Sequence, residues 1–218
     1  YTTEDLAFTP VDTQENFVRL KAILDTIQNP WLKKLLDAFW RDEAFMTRFS
    51  TAAAAKKWHH EFVGGLVRHC YEMACLAEAL CALFPDVDRD ILLAGVLLHD
   101  IGKLDEMSHE MFVDYTNEGK LLGHLQIGAD MVVQKIREID GFPDELRLRL
   151  LHCILSHHGE LQNGSPVTPK TIEAIALHHI DNLDAQTAAF TRIIQETRSR
   201  GQEWSDYMPL IDRVVWAK

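Results

Sequence analysis

The stretch from Ile91 to Leu98 carries no charge and ends in His99-Asp100, followed at once by Ile101-Gly102-Lys103. Asp88 stands ahead of it as a cap, so it reads as a helix running from about Arg89 into the histidine–aspartate pair. A helix that is apolar on every side is buried. This one therefore carries an imidazole and a carboxylate into the interior, where an unpaired charge costs several kcal/mol. The fold has to bring that pair a partner. A divalent cation would serve, and its other ligands must then come from elsewhere in the chain.

Candidates are plentiful. Most of the eleven histidines fall into clusters, at His59/His60/His69, His99, His124, His152/His157/His158 and His178/His179. With 218 residues and 47% hydrophobic content, the chain can bury a full core in one generous domain or two small ones. No apolar run reaches the roughly 18 residues of a membrane span. No basic segment leads into an apolar one, so no secretory signal is visible, and the opening Tyr1 in place of Met fits removal of something upstream. A formal net charge of −11 argues against holding nucleic acid on broad basic patches. A deep site carrying cations could still accept a phosphate, because the ions dominate the local field. Cys70, Cys75, Cys81 and Cys153 have no CxxC spacing and read as small buried hydrophobes in a reducing cytoplasm.

The rest of the chain reads as helices. Residues 1 to 12 look extended, with Pro10 as a breaker. Asp12 or Thr13 caps a helix bearing Phe17, Leu20, Ile23, Leu24 and Ile27. Pro30 opens a second with Trp31, Leu35, Leu36 and Phe39 inward, and a short third spans Glu43 to Phe49. Small residues from Ala52 to Lys57 connect to a long helix, roughly Leu66 to Leu83. After the His99-Asp100 helix, residues 105 to 122 read as a loop with a small hairpin through Met111-Phe112-Val113. Helices from about Leu125 to Ile139 and from Asp144 to Ser156 follow, the latter delivering His157-His158-Gly159. Pro169 opens a last helical region to about Arg200, and the tail from Trp204 packs back on the body.

His69, His99-Asp100, His124, His157 and Asp181 each fall near a helix end or on an inward face. A bundle can aim such residues at one centre. His69, three residues after Leu66 and four before Met73, would by itself read as a core histidine with a hydrogen-bonded ring. Imidazole and carboxylate donors suit Mn, Fe, Co, Ni or Zn, and the lack of a thiolate in the set speaks against a structural zinc. Two ions about 3.5–4 Å apart could share Asp100.

The spaced pattern His69, His99-Asp100 and Asp181 resembles that of the HD superfamily of metal-dependent phosphohydrolases. Longer motifs tighten the likeness: His59-His60 with Gly64-Gly65-Leu66 and His69, Leu97 through Lys103, Tyr115-Thr116 with Gly119 through His124, Ile154 through Gly159, Gly164-Ser165-Pro166, and Leu177-His178 with Asp181 and Leu183-Asp184-Ala185. In that order they resemble the HD domain of YhaM-type 3′→5′ exoribonucleases over roughly residues 15 to 215. The resemblance implies an all-α HD-domain helical bundle, with the small hairpin between residues 105 and 122. An N-terminal helical layer, residues 1–57, would pack on the HD domain, residues 58–218.

It also implies roles. His69, His99, Asp100 and Asp181 would hold a first divalent ion, and His124, His157 and His158 a second, with Asp100 bridging. Lys103 would reach the substrate phosphate; the competing reading is a solvated helix-end lysine. His59 and His60 would contact phosphate or protonate the leaving oxygen, against plain hydrogen-bonded loop histidines. At most one of His178 and His179 faces the site, and His109 and His152 read as structural. The activity implied is cytoplasmic, metal-dependent hydrolysis of single-stranded RNA from the 3′ end to nucleoside monophosphates, with DNA as an alternative substrate, no membrane partner and a homo-oligomer left open. That family carries an OB-fold nucleic-acid-binding domain ahead of the HD domain. No comparable β-rich segment stands in this sequence, so the expectation is an excised HD domain or one that works without the module. The acidic balance keeps a small-molecule nucleotidase or cyclic-nucleotide phosphodiesterase in view. A non-catalytic nucleotide-binding module and a di-iron oxygenase are the readings from other classes.

Overall fold

A computed structural model describes residues 10–54, 63–108, 114–209 and 211–218. The described chain runs α1 (Pro10–Leu24), α2 (Pro30–Trp40), α3 (Glu43–Thr51), α4 (Gly65–Leu83), α5 (Arg89–Leu98), α6 (Lys103–Glu106), β1 (Met107–Ser108), β2 (Asp114–Tyr115), α7 (Asn117–Arg137), α8 (Asp144–Ser156) and α9 (Ile172–Ser199). The fold is helical as expected. Its small sheet pairs Met107 with Tyr115 and Ser108 with Asp114 in antiparallel register, inside the 105–122 window. The expected turn through Met111-Phe112-Val113, and His109 with it, lies outside the described residues.

α5 is the axis of the core. Asp88 starts it, its side chain accepting the Ile91 N–H at 3.2 Å, and every residue from Ile91 to Leu98 is buried. It needs no polar face because α2, α4, α8 and α9 surround it. Burying a Leu or Ile of this kind contributes roughly 1.5–3 kcal/mol. Leu32, Leu35 and Phe39 of α2 and Phe49 of α3 belong to the same core as Leu66 and Met73 of α4 and Leu177 of α9. A smaller cluster of Ile193, Ile211 and Val215 folds the tail back, helped by Arg198 Nε donating to the Ala217 carbonyl at 2.7 Å.

Three boundaries differ from the sequence reading. α1 begins at Pro10 rather than after a cap at Asp12 or Thr13; proline at the start of a helix gives up only an N–H that has no intrahelical partner. Residues 117–122, read as loop, are helical: Thr116 caps them by accepting the Gly119 N–H at 2.9 Å. Gly123, at φ 72° and ψ 156°, then breaks the helix, and a second segment sets out from His124. Lastly, α9 begins at Ile172, not Pro169, because Thr171 accepts the Ala174 N–H.

The turn after α5 sits where only a glycine fits. A Cβ on Gly102 would lie 2.0 Å from the His124 carbonyl oxygen and 2.6 Å from the Gly128 nitrogen. Its bare backbone therefore lets α7 close on the Asp100 turn, which brings His124 within reach of Asp100.

Candidate metal centre

The last turn of α5 aims His99. Its Nδ1 donates to the Val96 carbonyl at 2.9 Å, three residues back, so Nε2 points away from the helix. α8 repeats the device: His157 Nδ1 donates to the Ile154 carbonyl at 2.8 Å. Three further rings are held across longer spans. His69, fully buried on α4, donates from Nδ1 to Asp184 Oδ2 on α9 at 2.6 Å. His124 donates to Glu106 Oε1 at 3.0 Å, and His158 to the Asn163 carbonyl at 2.9 Å.

Carbonyls and carboxylates only accept, so all five rings carry a proton on Nδ1 and turn Nε2 inward. The inward atoms crowd together. His69 Nε2 lies 3.3 Å from His99 Nε2 and 3.3 Å from Asp181 Oδ1. His124 Nε2 lies 3.2 Å from His158 Nε2. Ligand-type atoms of His69, His99 and Asp181 gather within 4.8 Å of one another, as do those of His124, His157 and His158.

Asp100 stands between the two groups. Oδ2 is 3.3 Å from His99 Nε2 and takes the Lys103 ammonium at 2.6 Å. Oδ1 lies 3.5 Å from His124 Nε2 and 3.6 Å from His157 Nε2, yet among the described residues it is buried without a hydrogen-bond partner. A buried carboxylate oxygen that faces imidazole nitrogens without a hydrogen bond is uncompensated unless a cation sits between them. The donor set fits one or two divalent ions.

The protonation pattern tells the same story. Burial alone would keep His69 neutral, but Asp181 and Asp184 outweigh it and push it up to about 10. Without a metal, a proton thus takes the place between His69 and Asp181. Burial holds His157 and His158 below the usual imidazole range, leaving their lone pairs free. Burial would raise Asp100, but Lys103 and His99 overcome it and hold the carboxyl well below its usual range. Asp181 is likewise lowered, chiefly by His69, against its burial.

A cavity of about 370 Å³ opens beside Asp100, His157, His158 and Asp181, its other walls being Lys103, Asn163, His178, Asn182 and Ala185. The structure thus brings together His69, His99, Asp100, His124, His157, His158 and Asp181, with Lys103 on the wall. His59 and His60 lie outside the described residues. Of the α9 pair, His178 faces the cavity and donates from Nδ1 to the His157 carbonyl at 2.7 Å, while His179 is exposed. His152 accepts the Lys170 N–H on Nε2 at 2.8 Å and plays no part.

Sequence reasoning missed two residues, Asp184 and Glu106, which orient His69 and His124. Asp184 had a legible signal: it lies three residues after Asp181, on the same face of one helix. Glu106 had none, because its role depends on the Gly123 break. It accepts the His124 backbone N–H as well as the ring, at the point where a new helical segment leaves that N–H without a partner.

Among curated proteins, the chain is similar to the 3′-5′ exoribonuclease YhaM of Geobacillus sp. (strain WCH70), 38% identical over 189 residues, or 87% of this chain and 57% of that protein. It is 38% identical to the protein of the same name from Bacillus subtilis (strain 168), over 87% of this chain and 59% of that one. A third, from Oceanobacillus iheyensis, is 36% identical over 89% and 60%. The chain therefore spans 57–60% of the length of these relatives. No solved structure matches. The family model for the HD domain matches residues 66–186, from the turn that precedes His69 to just past Asp184, and so takes in both ligand groups and Asp100: this chain belongs to the HD-domain family.

Proposed function

We propose that this chain is a metal-dependent phosphodiesterase that removes nucleoside monophosphates from the 3′ end of single-stranded RNA. The observation that carries the hydrolytic chemistry is the convergence of imidazole Nε2 atoms on the unpartnered Oδ1 of buried Asp100. The relatives named as 3′-5′ exoribonucleases support RNA as the polymer.

His69, His99, Asp100 and Asp181 would hold one divalent ion, and His124, His157 and His158 a second, with Asp100 shared. Such ions, drawn from Mn, Fe, Co, Ni or Zn, would supply Lewis acidity and an acidified water at neutral pH. The chain's own residues do the rest. Lys103 is fixed by Asp100 Oδ2 and has further N–H donors for a phosphate oxygen. Burial works against its charge but Asp100 more than restores it, so it meets substrate as an ammonium. Asp184 and Glu106 keep Nε2 of His69 and His124 turned inward. His60, nine residues before His69, is the proposed donor to the leaving oxygen. The cavity sits at the small end of ligand sites, roughly 300–1,000 Å³, which suits one terminal nucleotide rather than a duplex.

No described helix is long and apolar enough to cross a membrane, and the proposed setting is the cytoplasm. The helices of residues 1–57 are proposed as a layer on an HD domain of residues 58–218. The test is a labelled oligoribonucleotide incubated with Mn²⁺: a ladder shortening from the 3′ end is expected. An intact oligonucleotide beside rapid hydrolysis of mononucleotides would instead establish the small-molecule phosphohydrolase, a reading the small cavity and the net charge of −11 favour.

A further inference from the structure

His158 differs from the other four inward-facing histidines in what holds it. His99 and His157 lean on carbonyls of their own helices, and His69 and His124 on buried carboxylates. His158 leans on the Asn163 carbonyl, which belongs to the short 3₁₀ turn Leu161–Asn163 on the exposed side of the cavity. The grip is reciprocal: Asn163 Nδ2 donates back to the His158 carbonyl at 3.2 Å. Backbone bonds from Asn163 to Glu160 and from Gly164 to Leu161 close the turn, and Gly164, at φ 94°, ends it in a conformation other residues rarely adopt.

We propose that Asn163 is a positioning residue for His158, so that the 160–164 turn sets how tightly the second ion is held while leaving the first untouched. The proposal rests on the two-ion reading above. Two rings must keep their Nε2 atoms 3.2 Å apart, His124 and His158, and only the His158 ring is secured by a surface turn. Losing the Asn163 amide leaves the His158 carbonyl with the Glu160 N–H alone and loosens the turn whose carbonyl fixes the ring. The rings of the first ligand group are instead held from α5 and α9, His99 by the Val96 carbonyl and His69 by Asp184.

The experiment is calorimetric titration of the metal-stripped chain with Mn²⁺, repeated with Co²⁺ so that visible absorption reports the ligand field of each seat. The wild-type protein is expected to show two binding events. In Asn163→Ala the weaker event should lose about 10–100-fold in affinity, as outer ligands of metals do when removed. The tighter event and the thermal midpoint of the metal-free protein should stay in place. Gly164→Ala, strained at positive φ, should weaken the same event. Gln126→Ala, which removes an exposed α7 amide that donates to Asp130 and does not line the cavity, should move neither. If Asn163→Ala weakens both events equally, or neither, the positioning role is wrong. If the wild-type protein binds no metal at all, it is the two-ion reading that fails.

Discussion

The two candidate ligand groups on either side of Asp100 are assembled by different means. His69, His99 and Asp181 come from three helices far apart in sequence, α4, α5 and α9, and the first two are fully buried. His124, His157 and His158 come from chain breaks: the Gly123 kink in α7 and the end of α8. The first group exists only when the core around α5 has formed. The second leans in addition on the Gly123 break that presents His124 to Glu106 and on the 160–164 turn that meets His158. Global packing therefore guards one seat and short turns guard the other, and a substitution can be chosen to attack either.

Asp100 is the exception, since each of its oxygens faces a different group. Asp100→Asn should thus have the largest effect: loss of both metal-binding events and a fall in hydrolysis on the order of 10³-fold, about 4 kcal/mol. Metal content by atomic emission and single-turnover cleavage of an oligoribonucleotide would measure it. A variant that kept one stoichiometric ion would break the idea of a shared ligand.

Smaller and opposite effects should follow at the carboxylates behind the rings. Asp184→Asn should cost the His69 seat about 10–100-fold in affinity, and Glu106→Gln should cost the His124 seat a similar factor. Titration calorimetry would show which event moves in each. Crossed effects, with Glu106→Gln weakening the tighter event, would mean that the two groups act as one pool of ligands.

How much of this could be read in the sequence follows the same divide. The all-helical fold, the buried α5 and the inward His69 were legible, because apolar period and caps are local signals that tertiary packing reinforces. The seven ligand candidates were legible as residue types near helix ends or on inward faces, and the structure brings all of them to one centre. Glu106 was not, since nothing in a glutamate before a two-residue strand shows that a glycine seventeen positions later will break a helix and expose the His124 N–H. The Thr116 cap was also hidden: glycines at 119 and 123 read as loop, although Gly119 is required because a Cβ there would lie 2.2 Å from the Glu106 carbonyl oxygen. Close approach and flexibility leave the same letter in a sequence.

The mildest test of the contrast is pH, applied to the metal-free protein. His157 and His158 are held below the ordinary 6.5 by burial, so beneath that pH the unfolded chain binds protons that the folded chain refuses. Stability should fall as pH drops under about 6.5, by at most about 1.4 kcal/mol per group per pH unit, and fall further below 3.8, where Asp100 and Asp181 lose the advantage of their lowered values. His69 acts in the opposite window. Its value is raised to about 10 by Asp181 and Asp184 against its burial, so its contribution is complete below 6.5 and drains away between 6.5 and 10. Denaturant unfolding across this range should therefore show a maximum near pH 6.5, the acid limb belonging mostly to the second group and the alkaline limb to the first. If His69 is a ligand, saturating Mn²⁺ would displace the proton on its Nε2 and should erase the alkaline limb. An alkaline limb that persisted with metal bound would show that His69 is not among the ligands.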